Sequence, residues 1–185
     1  MAVRPIRQLG DPILRAQCEP VKTVRSPAVR MVADDLQDTL RDLKAEHGWG
    51  RGLAAPQIGA PLRIVYVEAP KPCFLVNPEI LDIGTEDFDV WDDCFSIPGL
   101  FVRVQRAHSV KVAYSDLAGR RNTLEADGAL AELLQHEIDH LDGVLMVDRP
   151  AGLDPFCLRD EWQKHYAASG RYGAPKTRET VESPC

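Results

Sequence analysis

The segment Leu134-Gln135-His136-Glu137-Ile138-Asp139-His140-Leu141 is where residue types and spacing point most directly to chemistry. On an α-helix, side chains four apart share a face, so His136 and His140 can aim their imidazoles at one metal ion while Glu137 flanks it. In that arrangement the ion activates a water and the carboxylate handles its proton, which is hydrolase chemistry. The competing reading is an exposed helix that carries two unrelated histidines. Only 5 His occur in 185 residues, and Leu130, Leu133, Leu134 and Leu141 surround the motif as a buried helix needs.

Two histidines leave a metal short of protein ligands, since catalytic sites usually supply three and keep a position open for water. The upstream candidates are Cys73, Cys94 and a pool of carboxylates. Cys94 stands out because Trp91-Asp92-Asp93-Cys94-Phe95-Ser96-Ile97-Pro98-Gly99 ends one strand and turns sharply. On the residues alone, a buried structural cysteine carries nearly equal weight. A further candidate is the run Gly50-Arg51-Gly52-Leu53-Ala54-Ala55-Pro56-Gln57-Ile58-Gly59, whose small residues let backbone pass close to a substrate. It is not a phosphate loop. The Gly-Lys-Ser/Thr ending is missing, and Pro61 to Val67 reads as a strand where a helix should follow.

These groups need elements to hold them. Ser26-Pro27 predicts a helix start, and Val29, Val32, Leu36, Leu40 and Leu43 recur at spacings of three and four, giving a core stripe that ends near His47-Gly48. Asp34, Asp35, Asp38 and Asp42 are expected on its solvated face. Before it, Ile6 to Val21 reads as an extended arm with a turn at Gly10-Asp11-Pro12. Strands are expected at 61–67, 74–80, 88–91, 102–104 and 109–114, with Pro78 placing the second near a sheet edge. The motif helix begins near Gly128 or Ala129. Strands followed by helix predict an α+β fold, antiparallel strands packed around a central His-Glu-x-x-His metal-binding helix.

A chain of 185 residues, 44% hydrophobic, builds one core more readily than two. Residues 1–150 are expected to form the catalytic domain, and 151–185 a C-terminal helix, capped near Asp154-Pro155, and then a flexible tail beyond Gly170. The net charge of -6 and the absence of a dense Lys/Arg cluster argue against direct nucleic-acid binding. No apolar run spans a bilayer, no secretion signal opens the chain, and five irregularly spaced cysteines do not form a disulfide framework, so a cytoplasmic protein is expected.

Three segments, Gly50-Arg51-Gly52-Leu53-Ala54-Ala55-Pro56-Gln57, Asp92-Asp93-Cys94-Phe95-Ser96 and Gln135-His136-Glu137-Ile138-Asp139-His140, resemble the signature motifs of the peptide deformylases, in the same order. Gly10 to Arg15, Leu75 to Ile80 and Leu141 to Leu145 are similar to that family too, and the resemblance spans roughly Ile6 to Arg149. It implies removal of the N-formyl group from the starting methionine of new polypeptides. It implies Cys94, His136 and His140 as metal ligands and one divalent ion, typically Fe2+, with Zn2+, Ni2+ or Co2+ able to occupy the site. Glu137 is implied as the acid-base group, the Gln57 amide and the Phe95 backbone N–H as oxyanion donors, and Gly50, Gly52 and Leu53 as substrate-binding. Formyl-methionyl nascent peptides are the implied partners, with the ribosome as a candidate, and the methionine pocket is expected near Leu133 or Ile138.

The middle motif departs from the family's Glu-Gly-Cys-Leu-Ser: Asp92 shortens the acid, and Asp93 adds a carboxylate beside the ligand where glycine is usual. If the glycine served a positive φ, aspartate is among the less costly replacements. That carboxylate keeps two alternatives open, a hydrolase of the same fold acting on a different formylated or acylated amine, and a non-catalytic metal-binding homologue. Retention of Glu137 and Gln57 counts against the second.

Overall fold

The structure, a computed structural model, describes residues 2–68 and 71–178. A 3-10 turn at Pro12–Arg15 precedes helix α1 (Pro27–His47), then come strands β1 (Gly52–Ala54), β2 (Ile64–Val67), β3 (Cys73–Ile83), β4 (Glu86–Cys94), β5 (Ile97–Ala107), β6 (Ser109–Ser115) and β7 (Arg121–Asp127). Helix α2 (Gly128–Leu141) follows, and the chain closes with β8 (Phe156–Leu158), α3 (Arg159–His165) and β9 (Lys176–Thr177). The strands form two sheets, ordered β1-β2-β3-β6-β7 and β8-β5-β4-β9. Every paired strand runs antiparallel, as the sequence predicts.

The first sheet lies between the two long helices. Ile64, Tyr66 and Val76 face α1 with its Leu36 and Leu40, while Val65, Val67 and Leu75 face α2 with its Leu134 and Leu141. A strand buried on both faces explains why Ile64-Val65-Tyr66-Val67 is continuously apolar. Helix α1 starts as predicted: the Ser26 hydroxyl accepts from the Val29 N–H at 3.3 Å, and Gly48 ends the helix in the left-handed region at φ 77. On the second sheet, Val90, Val102 and Val104 pack with Leu145 and Met146, which follow α2, in a third apolar cluster that also holds Cys94.

Several expectations need correction. β3 is interior, between β2 and β6, although it contains Pro78. The missing N–H is tolerated because the ladder slips there, between Val76 and Glu79, with Asn77 at φ 50. β7 adds a strand to those expected; its residues Arg121-Asn122-Thr123 offer no apolar alternation, and pairing with β6 makes it a strand. Beyond Gly170, where the sequence suggests a flexible tail, Lys176 and Thr177 pair with β4, and residues 179–185 lie outside the described residues.

Asp35 is buried, not solvated. Its carboxylate accepts from the Ala2 N–H at 2.8 Å and from Arg4 Nε at 2.8 Å, tying the N-terminal arm to α1. Burial pushes its carboxyl upward, but the Arg4 hydrogen bond and charge outweigh that and hold it below the usual range. A depressed carboxylate stabilises the fold above its unfolded pKa of about 3.9, and that contribution is lost as pH falls through the lower folded value. Asp35→Asn is therefore expected to lower the urea midpoint at pH 7, with the gap from the parent closing below about pH 4.

Candidate active site

Strand β4 and helix α2 bring the candidate ligands together. Period-two alternation turns Phe88, Val90, Asp92 and Cys94 inward, and Cys94 ends the strand where the register to β5 shifts. Ligand atoms of Cys94, His136 and His140 lie within 4.8 Å of one another, and all three residues are buried. Cys94 Sγ is 3.3 Å from His140 Nε2, and the two imidazole rings meet edge to face at 5.0 Å. A thiol and two imidazoles converging on one point suit a borderline divalent ion with a position left for water.

Asp92, on the same strand face, accepts from His136 Nδ1 at 2.9 Å and from Arg106 at 3.1 Å. The first of these bonds fixes the imidazole orientation and leaves Nε2 for the ligand cluster. Burial pushes the Asp92 carboxyl up, but the facing His136 and Arg106 charges reverse this and keep it ionised. Burial likewise pushes both histidines down; the Asp92 charge overturns this at His136, which is raised, and not at His140, which stays lowered. Asp92, Glu132 and His136 also group within 4.8 Å, but Arg106 holds Asp92 and Arg51 holds Glu132 at 2.6 Å.

Glu137 is buried beside this cluster, and its Oε2 finds no hydrogen-bond partner among the described residues. Burial pushes its carboxyl up to about 7. A buried carboxyl with an open oxygen and a value near neutrality is suited to exchanging protons with a water or an amine. Gln57 contacts Cys94 as well. Its Oε1 accepts from the Ala54 N–H at 2.9 Å, which aims Nε2 at Ser96 Oγ, 3.2 Å away, and Cys94 Sγ, 3.4 Å away.

These groups open on a cleft of about 310 Å³, lined by Gly50, Gly52, Gln57, Phe95, Leu133 and Glu137 among others. Gly50 takes φ +130, and a Cβ there would come within 2.8 Å of the Phe95 ring. At Gly52 a Cβ would sit 2.8 Å from Glu137 Oε1 and 3.2 Å from the Tyr66 carbonyl. The strand backbone cannot retreat, so Gly52→Ala is expected to displace the carboxylate. Turnover at this cleft should fall about 10- to 100-fold, with the melting temperature little changed.

Two expectations are narrowed. The Leu53 side chain is fully buried in the α1-facing core, so only its backbone is available to a substrate, and of the two residues expected near the methionine pocket Leu133 lines the cleft while Ile138 lines a separate depression with Asn77 and Pro78. Asp93 lies on a β4 residue paired with Phe101, and no positive φ is found there. Sequence reasoning missed the Asp92–Arg106 pair as an orienting device. The signal was present: Arg106 shares an inward face with Val102 and Val104, and an arginine in that register requires a buried carboxylate.

The fold and site together define a helix and antiparallel-sheet hydrolase with a cysteine and two histidines disposed to hold a metal. A family model described as polypeptide deformylase matches residues 3–155. A peptide deformylase of Dictyoglomus thermophilum is 40% identical over 148 residues, 80% of this chain and 92% of that protein. One from Mesorhizobium japonicum is 43% identical over 155 residues, covering 80% and 84%. Among solved structures, a peptide deformylase from Synechococcus elongatus in complex with actinonin superposes with a TM-score of 0.75 at 34% identity, over 89% of this chain and 87% of that one. The chain belongs to the polypeptide deformylase family.

Proposed function

We propose that the chain hydrolyses the N-formyl group from the N-terminal methionine of newly made polypeptides, using a divalent metal held by Cys94, His136 and His140. The donor set supports the metal: three buried ligand atoms converge, and the Asp92 carboxylate orients one of them. A divalent ion there supplies Lewis acidity, making water a nucleophile near neutral pH and polarising the formyl carbonyl. Iron(II) is the proposed ion, and zinc, nickel or cobalt accept the same donors.

Glu137 takes the proton of the attacking water and returns it to the departing amine. The observation that carries this role is its buried, unpartnered Oε2 beside the ligand cluster. The Gln57 amide, fixed through its oxygen by the Ala54 N–H, offers Nε2 to the oxyanion, and the Phe95 backbone N–H is the second donor. Gly50 and Gly52 keep the cleft open for the substrate. Strand β1 is a sheet edge, so an extended peptide can pair along Gly52 and the Leu53 backbone. Leu133 is the apolar contact for the methionine side chain.

The proposed catalytic groups all fall within residues 1–150, the proposed catalytic domain, and Phe156–Leu158 and Lys176–Thr177 of the remainder pair with its second sheet. The proposed location is the cytoplasm, and the proposed presenting partner of a nascent-chain substrate is the ribosome. No helix among the described residues is long and apolar enough to cross a membrane. Asp93 gives no reason to invoke a different amine, because its charge is matched by Arg159 and Arg171. The test is formate release from formyl-Met-Ala-Ser by protein loaded anaerobically with iron(II) or with nickel. Turnover is expected, and a fully metallated protein that releases no formate overturns the reading.

A further inference from the structure

We propose that the segment after residue 155 forms a working wall of the cleft, and that Arg159 is a positioning residue for deformylation, acting through Trp49 and Asp93. The inference rests on the functional reading above. The outer face of the β4–β5 hairpin is covered by this segment. Trp91 meets Tyr166 with ring centroids 5.1 Å apart, and Phe101 stacks on Trp162 at 4.5 Å. Between these contacts Asp93, its side chain almost fully buried, accepts from Arg159 at 3.0 Å and from Arg171. A buried carboxylate without such partners would place an uncompensated charge one residue from Cys94.

Arg159 does more than neutralise Asp93. Its guanidinium carbon lies 4.6 Å from the Trp49 ring centroid, a cation–π distance. Trp49 in turn stacks on Phe95, 4.2 Å between centroids at 7°. The Phe95 ring closes over Gly50, where even a Cβ would meet it at 2.8 Å. Arg159 is thus the shared end of two short paths. One runs through Trp49 to Phe95, and the other through Asp93 to Cys94. Asp93, which precedes the proposed metal ligand, and Trp49, which stacks on the proposed oxyanion donor, are both contacted by a side chain that does not itself line the cleft, whereas Arg171 does. Losing it frees the Cys94–Phe95 turn and the Trp49–Gly50 loop to shift, and misplacement of about 1 Å at a reacting centre costs up to about 100-fold.

The experiment compares full-length parent, Arg159→Ala, Arg159→Lys and Asp93→Asn, with kcat expressed per bound metal and KM measured for formyl-Met-Ala-Ser. Arg159→Ala is expected to lower kcat about 10- to 100-fold with KM within about twofold, and Arg159→Lys, which keeps a cation over Trp49, to recover most of it. Hydrogen exchange in the metal-free proteins should quicken at residues 49–52 and 94–96 in Arg159→Ala and not in the α1-facing core. Asp93→Asn, of the same shape, should reproduce the kcat loss and serves if Arg159→Ala does not fold. Unchanged kcat per metal in both variants, with an active parent, overturns this inference alone. A fully metallated parent without turnover overturns the functional reading and this inference with it.

Discussion

Glu137→Gln is expected to lower kcat for formyl-peptide hydrolysis by about 10²- to 10⁴-fold while bound metal stays at the parent's level. Glutamine fills the same space beside Gly52, where a methyl added to the glycine would already meet Glu137 Oε1 at 2.8 Å, so the cleft keeps its shape. What disappears is a group able to take a proton from water and return it to the amine. The substitution also has a stability signature in the metal-free protein. Burial raises the folded pKa of Glu137 to about 7, above an unfolded value of about 4.3. Between those values the native state holds the extra proton, so the parent loses stability as pH rises through the window. Glutamine removes that dependence. Urea midpoints of the metal-free pair should therefore separate between about pH 4.3 and 7, with Glu137→Gln the more stable at pH 7. A variant with full turnover would remove Glu137 from the mechanism, and equal midpoints at every pH would contradict its burial with Oε2 unpartnered.

The elements and the ligand cluster differ in how openly the sequence displays them. Helix α2 is legible because helical spacing of leucines coincides with the histidine pair, and α1 because both of its caps are local signals, Ser26 and Gly48. Strand β7 is not, since its neighbour β6 and not its own residues makes it a strand. On residues alone Cys94 could not be told from a structural cysteine; the structure separates it from Cys73, which instead contacts Tyr114 at 3.7 Å. The Asp35 error has the same origin. A helical stripe predicts which face meets the core, but it carries no information about the N-terminal arm that folds back with Arg4 to cover a carboxylate. Likewise, Asp93 reads as a loose charge beside a ligand until its partners arrive from residues 66 and 78 positions away. Local pattern locates groups; neutralisation depends on distant chain.

Cys94→Ala is expected to abolish metal retention and formate release together, and comparison with Asp92→Asn separates a ligand from the residue that orients one. Without the thiol, two imidazoles remain, and they differ: Asp92 favours a proton on His136, while burial keeps His140 neutral. A metal must displace the His136 proton without the negative ligand that offsets its charge, so binding weakens further as pH falls. Asp92→Asn leaves all three proposed ligands in place and removes the carboxylate that fixes His136 at 2.9 Å. Loss of such an outer partner typically costs about 10- to 100-fold in metal affinity or activity. It also leaves Arg106 with Asp139 as its remaining carboxylate partner. Cys94→Ala should exceed that range, leaving protein with no stoichiometric metal after gel filtration, whereas Asp92→Asn should keep metal but surrender it faster to a chelator. Metal analysis and formate release on the same fractions decide the matter. Cys94→Ala that retains metal and turnover would move the third ligand elsewhere, and Asp92→Asn that loses metal as completely would make the carboxylate part of the primary ligand set.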